Sequence, residues 1–250
     1  MPSLPLRIAM LECGVPLGKT RAKYGGYGAV FGALLKAAAD NLQYPKLSSS
    51  SGLDISSFDV TEFKYPSLDT IDAILITGSK FNAFDNDPWI VKLVDFVKEI
   101  LAQDRVRIIG VCFGHQIVGR ALGCKVDRCQ KGWEVSVTAI DLTKRGQEIF
   151  GRPALALHQM HRDMICEHPE GVEELAYTDK CSVHAMYVPK RFICVQGHPE
   201  FNEEIVREIM EARHEAGIFD DEEFKDAIDR VDKYHDGVVV AQAFLRLLLE

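Results

Sequence analysis

The amino-acid sequence predicts an α/β protein whose doubly wound, mostly parallel sheet is flanked by helices and whose second half is richer in strands. Short apolar runs of strand length alternate with segments of helical period along the first half of the chain. Several of these runs are apolar at nearly every position, which is typical of parallel strands buried on both faces. The second half contains more strand-like segments, among them an alternating one over 133–142.

Glycine and proline separate the predicted elements of the first half. The clearest helix begins at Asp87-Pro88, because Asp is a good N-cap and Pro suits the first helical position. Its apolar residues then recur at intervals of three and four as far as Leu101. Segments 19–28 and 45–52 are expected to be loops. The strands are predicted at 7–13, 58–63, 73–77 and 106–111, and the other helices at 29–39 and 117–122.

The second half is predicted to end in amphipathic helices. Its strands are expected at 133–142, 154–157, 174–178, 185–188 and 192–196, and its helices at 203–216, 221–234 and 242–249. The sequence contains neither an internal repeat nor a linker long enough to separate two units. We therefore expect residues 1–250 to form a single domain.

The composition is that of a globular protein and argues against several classes of function. Of the 250 residues, 47% are hydrophobic and 26% are charged, which are ordinary values for a folded chain. The 29 Lys and Arg against 37 Asp and Glu give a net charge of −8, so no nucleic-acid partner is expected. No apolar run approaches the ~18 residues that a membrane span needs, so no membrane partner is expected either.

The seven cysteines predict a reducing compartment, the cytoplasm. Their number is odd, they are scattered, and none forms a C-x-x-C pair, so they indicate neither a disulfide framework nor a zinc site. The segment before the first predicted strand is too short for the apolar part of a signal peptide. His158, His161 and Asp163 have side chains suited to metal binding, but no further ligands follow at suitable spacing, and no metal is predicted.

The most informative segment is 109–116, where a predicted buried strand meets a G-x-C-x-G turn and then a helix. This is the cysteine version of the G-x-S-x-G nucleophile elbow, a tight strand-to-helix turn that exposes the nucleophile at the end of the sheet. The elbow places the Cys112 sulfur at a helix N-terminus, where the dipole favours the thiolate. The amide of Phe113 points to where an oxyanion would form. The alternative, that Cys112 packs as a small buried hydrophobe, is disfavoured by this context.

A base for this nucleophile is expected at the end of another buried strand. His198 and Glu200 follow the strand at 192–196, and in an extended backbone residues two apart lie on the same side. Glu200 can then hold one ring nitrogen of His198 and leave the other for Cys112. The alternative is that His198 caps the helix beginning near Asn202. It is disfavoured because Cys112, a candidate nucleophile, lies at the end of another strand.

Both motifs resemble those of the class I glutamine amidotransferase family, whose catalytic triad is Cys-His-Glu. Among its members the chain is most similar to stand-alone γ-glutamyl peptidases and GMP synthase-like amidotransferases, and supporting segments are 24–27, 77–79, 87–93 and 197–202. The resemblance runs from the first strand to the helix after Glu200. It implies a flavodoxin-like fold, a core of about 6–216, and a helical C-terminal extension over 217–250 to which we assign no chemistry.

The resemblance also implies an oxyanion hole. Ser79 stands at the position of its second backbone amide, beside that of Phe113. The family's Gly-Gly-Pro strand is Gly78-Ser79-Lys80 in this sequence. This departure lies at the substrate pocket and favours a substrate other than free glutamine.

Further substrate contacts are implied in the same way. Gln116 matches the glutamine that contacts the γ-glutamyl group. Met160 and His161 match the start of the family's M-S-H-G-D segment, whose backbone holds the α-amino and carboxylate ends of the substrate. Arg162 stands where that segment has glycine, a second departure at the pocket.

The function implied is hydrolysis of a γ-glutamyl amide through a thioester on Cys112, without metal, nucleotide or redox cofactor. A γ-glutamyl peptidase acting on glutathione or its conjugates is favoured, because 250 residues leave no room for a synthase domain. The first alternative is a glutaminase subunit that supplies ammonia to a separate synthase. The second is a non-catalytic binding or regulatory subunit, which the complete triad argues against. The partners expected are the small γ-glutamyl substrate and a synthase or a second copy of the chain.

Overall fold

The computed structural model describes residues 4–250 and is built around a nine-stranded sheet. The strands are β1 (Leu6–Glu12), β2 (Leu53–Asp59), β3 (Ala73–Ile76), β4 (Arg107–Val111), β5 (Val126–Arg128), β6 (Glu134–Leu142), β7 (Ala154–His161), β8 (Asp163–Ile165), β9 (Glu173–Tyr177), β10 (Ala185–Val188) and β11 (Phe192–Val195). The helices are α1 (Gly18–Tyr24), α2 (Tyr27–Leu42), α3 (Pro88–Leu101), α4 (Phe113–Ala121), α5 (Lys144–Phe150), α6 (Glu203–Glu215), α7 (Asp221–Ile228) and α8 (Gly237–Leu249).

The sheet has a parallel half and an antiparallel half, in the order β2-β1-β3-β4-β11-β10-β9-β6-β7. The five strands from β2 to β11 are parallel to their neighbours, and the four from β10 to β7 pair antiparallel. β5 and β8 form a separate two-stranded ribbon. This arrangement confirms the predicted α/β fold with its strand-rich second half.

Alternate side chains of the parallel strands point into two apolar clusters, one on each face of the sheet. In β1, Ile8 and Met10 pack with α2, α5 and α8, whereas Ala9 and Leu11 pack with α3 and α4. Helices therefore cover both faces, as a parallel sheet requires. α8 lies within the first cluster, where Phe244 is completely buried. The division of the chain into a core and an extension at 217 stays a prediction.

Two predictions for the first half were wrong. The second strand is Leu53–Asp59 and not 58–63, because the chain turns into a 3₁₀ helix over Val60–Glu62, where the Asp59 side chain accepts the Thr61 amide. β2 is an edge strand with much of its surface exposed, so its polar composition hid it. The predicted loop over 19–28 contains α1 and the start of α2.

The second half contains short elements that the sequence patterns did not indicate. α5, β5 and β8 were not predicted, because each is too short to show a period. The predicted helix over 221–234 ends at Ile228, and α8 begins at Gly237 instead of 242. Over the described range 4–250, no helix combines the length and the apolar character needed to cross a membrane.

Candidate active site

Cys112 lies in the sharp turn between β4 and α4 and has an unusual backbone conformation. Its φ is 52° and its ψ is −104°, in a region that non-glycine residues rarely occupy and that costs about 1–3 kcal/mol. The flanking glycines make this turn possible. A Cβ on Gly114 would lie 2.3 Å from the Ile76 carbonyl oxygen, and one on Gly110 would lie 2.9 Å from the Cys194 sulfur. Strain confined to one residue at a strand end marks it as a candidate nucleophile.

His198 lies beside this turn because β11 pairs directly with β4. Its amide donates to the His158 carbonyl oxygen at 2.8 Å, and its ring lies parallel to that of Phe201 with centroids 4.0 Å apart. Nδ1 is 2.8 Å from Glu200 Oε1, and both side chains are at most 4% exposed. Backbone, ring and carboxylate together fix the orientation of the imidazole.

The charge on His198 is stabilised by its surroundings. Burial, the largest effect, lowers its pKa, but the attraction of Glu200 and Cys112 outweighs burial and raises the pKa from 6.5 to about 10. For three other buried histidines burial prevails and lowers the pKa values to about 3: His115, His158 and His184. Burial also raises the thiol pKa values of Cys13, Cys181 and Cys194. Cys112 is the cysteine that lies beside the charged His198 ring.

The end of β3 completes this arrangement. A Cβ on Gly78 would lie 2.7 Å from His198 Cε1 and 3.7 Å from the Cys112 Cβ, so the backbone at Gly78 contacts both side chains. The next residue, Ser79, is held by its hydroxyl, which donates to the Cys13 carbonyl oxygen at 2.6 Å. Phe113 is the first residue of α4, and its amide therefore has no acceptor within the helix. The ends of β3, β4 and β11 bring the predicted nucleophile, base and oxyanion-hole residues together.

The glutamine amidotransferase class-I family model matches residues 48–218. The chain belongs to this family. A putative glutamine amidotransferase-like protein of Schizosaccharomyces pombe is 34% identical over 97% of this chain and 98% of its own. A protein named gamma-glutamyl peptidase 2 from Arabidopsis thaliana is 32% identical over 91% of this chain and 89% of its own. The crystal structure of a glutamine amidotransferase from Thermotoga maritima covers 98% of this chain and 99% of its own, with a TM-score of 0.74 and 14% identity, which shows a shared fold.

The Gln116 side chain of this chain is hydrogen-bonded within the protein. Its Nε2 donates to the Asp163 carbonyl oxygen at 2.8 Å and to Gln196 Oε1 at 3.0 Å. Met160 packs in an apolar cluster with Phe201. Gln116 therefore connects α4 to the segment after β7, and its contact with substrate stays a prediction, as do those of Gly78, Met160 and His161.

His161 belongs to a buried polar cluster that the sequence patterns did not indicate. Its Nε2 is 3.2 Å from Glu134 Oε2, since the two residues are register partners across β6 and β7. With His184 they present three donor atoms within 4.8 Å of one another, and these residues could hold a metal ion. The pairing of Glu134 with His161 accounts for two of these three side chains. From the sequence, this contact could have been found only by predicting how β6 pairs with β7.

Arg213 and Trp133 are two further residues near Cys112 that the sequence patterns did not indicate, and Tyr27, from the supporting segment 24–27, lies with them. The Cys112 thiolate and the Tyr27 hydroxyl both act on the pKa of Arg213, so its guanidinium lies within electrostatic reach of the nucleophile. Arg213 also stacks on Trp133. These side chains come from α2, α6 and the turn before β6, and no local motif joins them.

Proposed function

We propose that this class I amidotransferase family member is a γ-glutamyl peptidase that cleaves glutathione or glutathione conjugates through a thioester on Cys112. The observation that carries the proposal is the strained Cys112 turn beside a buried His198 whose Nδ1 lies 2.8 Å from Glu200. A nucleophile, a base and a group that orients the base are the parts that acyl transfer needs. The relative from Arabidopsis thaliana that is named a gamma-glutamyl peptidase supports the choice of substrate.

The chemistry follows from these parts. The Cys112 thiolate attacks the γ-carbonyl carbon, and the backbone amides of Ser79 and Phe113 stabilise the oxyanion of the tetrahedral intermediate. The proton on His198 passes to the leaving amine, the C–N bond breaks, and a γ-glutamyl thioester remains on the sulfur. His198 then takes a proton from water, whose oxygen attacks the thioester, and glutamate and the thiolate are released. One water is consumed for each glutathione split into glutamate and cysteinylglycine.

The test is a mass-spectrometric assay of the purified protein with glutathione, an S-substituted glutathione and glutamine. We expect wild type to release cysteinylglycine or its conjugate, and Cys112→Ala to release none. Cys166→Ala is the matched control, because Cys166 is an exposed free cysteine and its removal should leave turnover unchanged.

Other outcomes would overturn the proposal. Glutamate and ammonia formed from glutamine alone would identify a glutaminase that supplies a synthase partner. Equal turnover by wild type and Cys112→Ala would exclude the Cys112 thioester. Folded wild-type protein that turns over none of the three compounds would leave a partner-activated subunit, a different substrate, or a binding or regulatory subunit.

A further inference from the structure

We propose that Arg213 and Arg162, which lie over the same Trp133 ring, form a binding site for a carboxylate of the substrate. This inference rests on the proposed function and extends it, because it says what holds the acidic end of a γ-glutamyl compound next to Cys112. The family segment quoted above has glycine at the position of Arg162 and does not include Arg213, so neither side chain belongs to the family motifs.

Both guanidinium groups lie close to one aromatic ring. Arg213 Cζ is 4.6 Å from the centroid of the Trp133 ring, and Arg162 Cζ is 5.1 Å from it. The ring itself is fixed by an edge contact with Phe219 at 5.2 Å. Arginine stacks on aromatic faces and keeps the edge of its guanidinium free to donate hydrogen bonds.

Neither guanidinium has an anionic partner within the described part of the chain. Ten other arginines donate side-chain hydrogen bonds or form ion pairs with described residues: Arg7, Arg105, Arg107, Arg120, Arg128, Arg145, Arg191, Arg207, Arg230 and Arg246. Arg162 and Arg213 do neither. Arg213 Nη1 is also inaccessible to solvent and has no hydrogen-bond partner among residues 4–250. A buried charged donor without an acceptor is costly, so the site is incomplete with the protein groups alone.

The electrostatics indicate the sign of the missing group. Burial, the largest effect, lowers the pKa of Arg213, and the like charge of Arg162 lowers it further. An anion bound between the two guanidinium groups would offset both effects. The protein as a whole carries a net charge of −8, so this unpaired basic pair is a local exception and not part of a general basic surface.

The pair lies close to the reacting groups. Cys112 and Tyr27 both raise the pKa of Arg213, which places its guanidinium within electrostatic reach of the nucleophile. Trp133 and Tyr27 pack in the same apolar cluster as Phe201, whose ring stacks on His198. A substrate whose scissile bond is at Cys112 can therefore extend one end to the two arginines.

The shared ligand chemistry is a carboxylate, because planar guanidinium groups bind carboxylates bidentately and every proposed substrate carries one. Two sources are possible. The α-carboxylate of the γ-glutamyl group is present in both glutamine and glutathione. The glycine carboxylate lies on the other side of the scissile bond and is present only in glutathione.

The experiment combines protein variants with substrates that lack one charge. Glutathione, its glycine ethyl ester and its γ-glutamyl α-carboxamide are compared for wild type, Arg213→Gln and Arg213→Lys, with kcat and KM measured separately. Arg207→Gln is the matched control, since Arg207 lies on the same helix, pairs with Glu203 and should change nothing. Thermal melts of all four proteins show whether each variant is folded.

We expect Arg213→Gln to raise KM for glutathione about 10- to 100-fold with little change in kcat, as loss of a charge-assisted hydrogen bond predicts. Arg213→Lys should raise KM less, because lysine keeps the positive charge but lacks the planar guanidinium that binds a carboxylate through two hydrogen bonds. The penalty should disappear with one of the two modified substrates. Loss of the penalty with the ester assigns the glycine carboxylate, and loss with the α-carboxamide assigns the α-carboxylate.

A penalty of equal size on all three substrates would overturn the inference, since Arg213 would then act on the fold and not on a carboxylate. If wild type turns over none of them, the proposed function fails independently. Binding of glutathione and its two analogues to Cys112→Ala and to Cys112→Ala/Arg213→Gln, measured by calorimetry, then decides the carboxylate site. Equal affinities in the two proteins would exclude it.

Discussion

Replacement of Gly78 by alanine tests whether the end of β3 sets the position of His198, the proposed base. The added methyl group would lie 2.7 Å from His198 Cε1 and 3.5 Å from its Nδ1. Carbon atoms in contact are separated by about 3.5–4.0 Å, so the ring and the methyl group must separate by about 1 Å. His198 has little freedom to yield, because Phe201 stacks on one face of the ring at 4.0 Å and Glu200 holds Nδ1.

The expected cost in activity follows from that displacement. A misplacement of about 1 Å in a catalytic group costs on the order of 100-fold in rate, or about 2.7 kcal/mol of transition-state stabilisation. Overpacking of this kind costs about 1–3 kcal/mol of folding stability. We therefore expect Gly78→Ala to fold, with a lower Tm, and to lose about 100-fold in kcat/KM.

The assay is kcat/KM for the γ-glutamyl substrate that wild type turns over best, together with a thermal melt. Gly18→Ala is the matched control, because a Cβ at Gly18 meets no atom within 4 Å. The control should retain wild-type activity. A Gly78→Ala protein that keeps activity within threefold of wild type would show that the histidine is not positioned by this contact.

Two further changes test the buried ion pair and the helix that follows it. Glu200→Gln removes the attraction that raises the pKa of His198 against burial, so the alkaline limb of kcat/KM should move to lower pH, with Glu200→Asp as the control. The pKa of His198 is raised in the folded state, so its contribution to folding stability is complete below pH 6.5 and is lost as the pH rises toward about 10. In urea unfolding, the stability of Glu200→Gln should therefore fall less over this pH range than that of wild type. Asn202→Ala removes the side chain that caps α6 by accepting the Ile205 amide at 3.0 Å and should cost about 1 kcal/mol in urea unfolding, whereas Asn202→Asp should retain most of the stability.

The juxtaposition of Cys112, His198 and Glu200 could be predicted from the sequence because most of its geometry is local, and their catalytic roles stay a prediction. Gly110 and Gly114 bracket Cys112 within five residues. Glu200 lies only two residues after His198 and reaches its Nδ1, although Pro199 and Glu200 lie in a turn and not in the extended backbone that was predicted. Because parallel strands end at one edge of the sheet, the ends of the two strands could then be expected to lie together, in agreement with the pairing of β4 with β11. Local spacing and fold class together were sufficient.

The surroundings of the triad could not be predicted, because they depend on contacts between distant segments. Glu134 meets His161 through the register of β6 and β7. Arg213 reaches Trp133 because of how α6 packs, although 80 residues separate them. β2 was misplaced for a related reason, since an exposed edge strand carries no apolar pattern.

The two halves of the sheet contribute differently to the site. The parallel half supplies Cys112 and His198 at adjacent strand ends. The antiparallel half ends in β7, the last strand of the sheet order, yet His158 in β7 bridges directly to His198. β7 therefore reaches the carboxyl end of β11, where it brings His158 to His198.

We expect this division to separate the chemistry from the choice of substrate. The turn at Cys112 is constrained by close contacts at Gly110 and Gly114, whereas Trp133 directly precedes β6 and Arg162 directly follows β7, outside the parallel strands. Under the proposed function, a substitution at Arg162 or Trp133 should therefore change KM for γ-glutamyl compounds, and a substitution at Gly110 or Gly114 should abolish turnover of all of them. The departures from the family pattern at Arg162 and Ser79 are not part of the proposed triad. This is expected if the reaction is the same as in the family and the substrate differs.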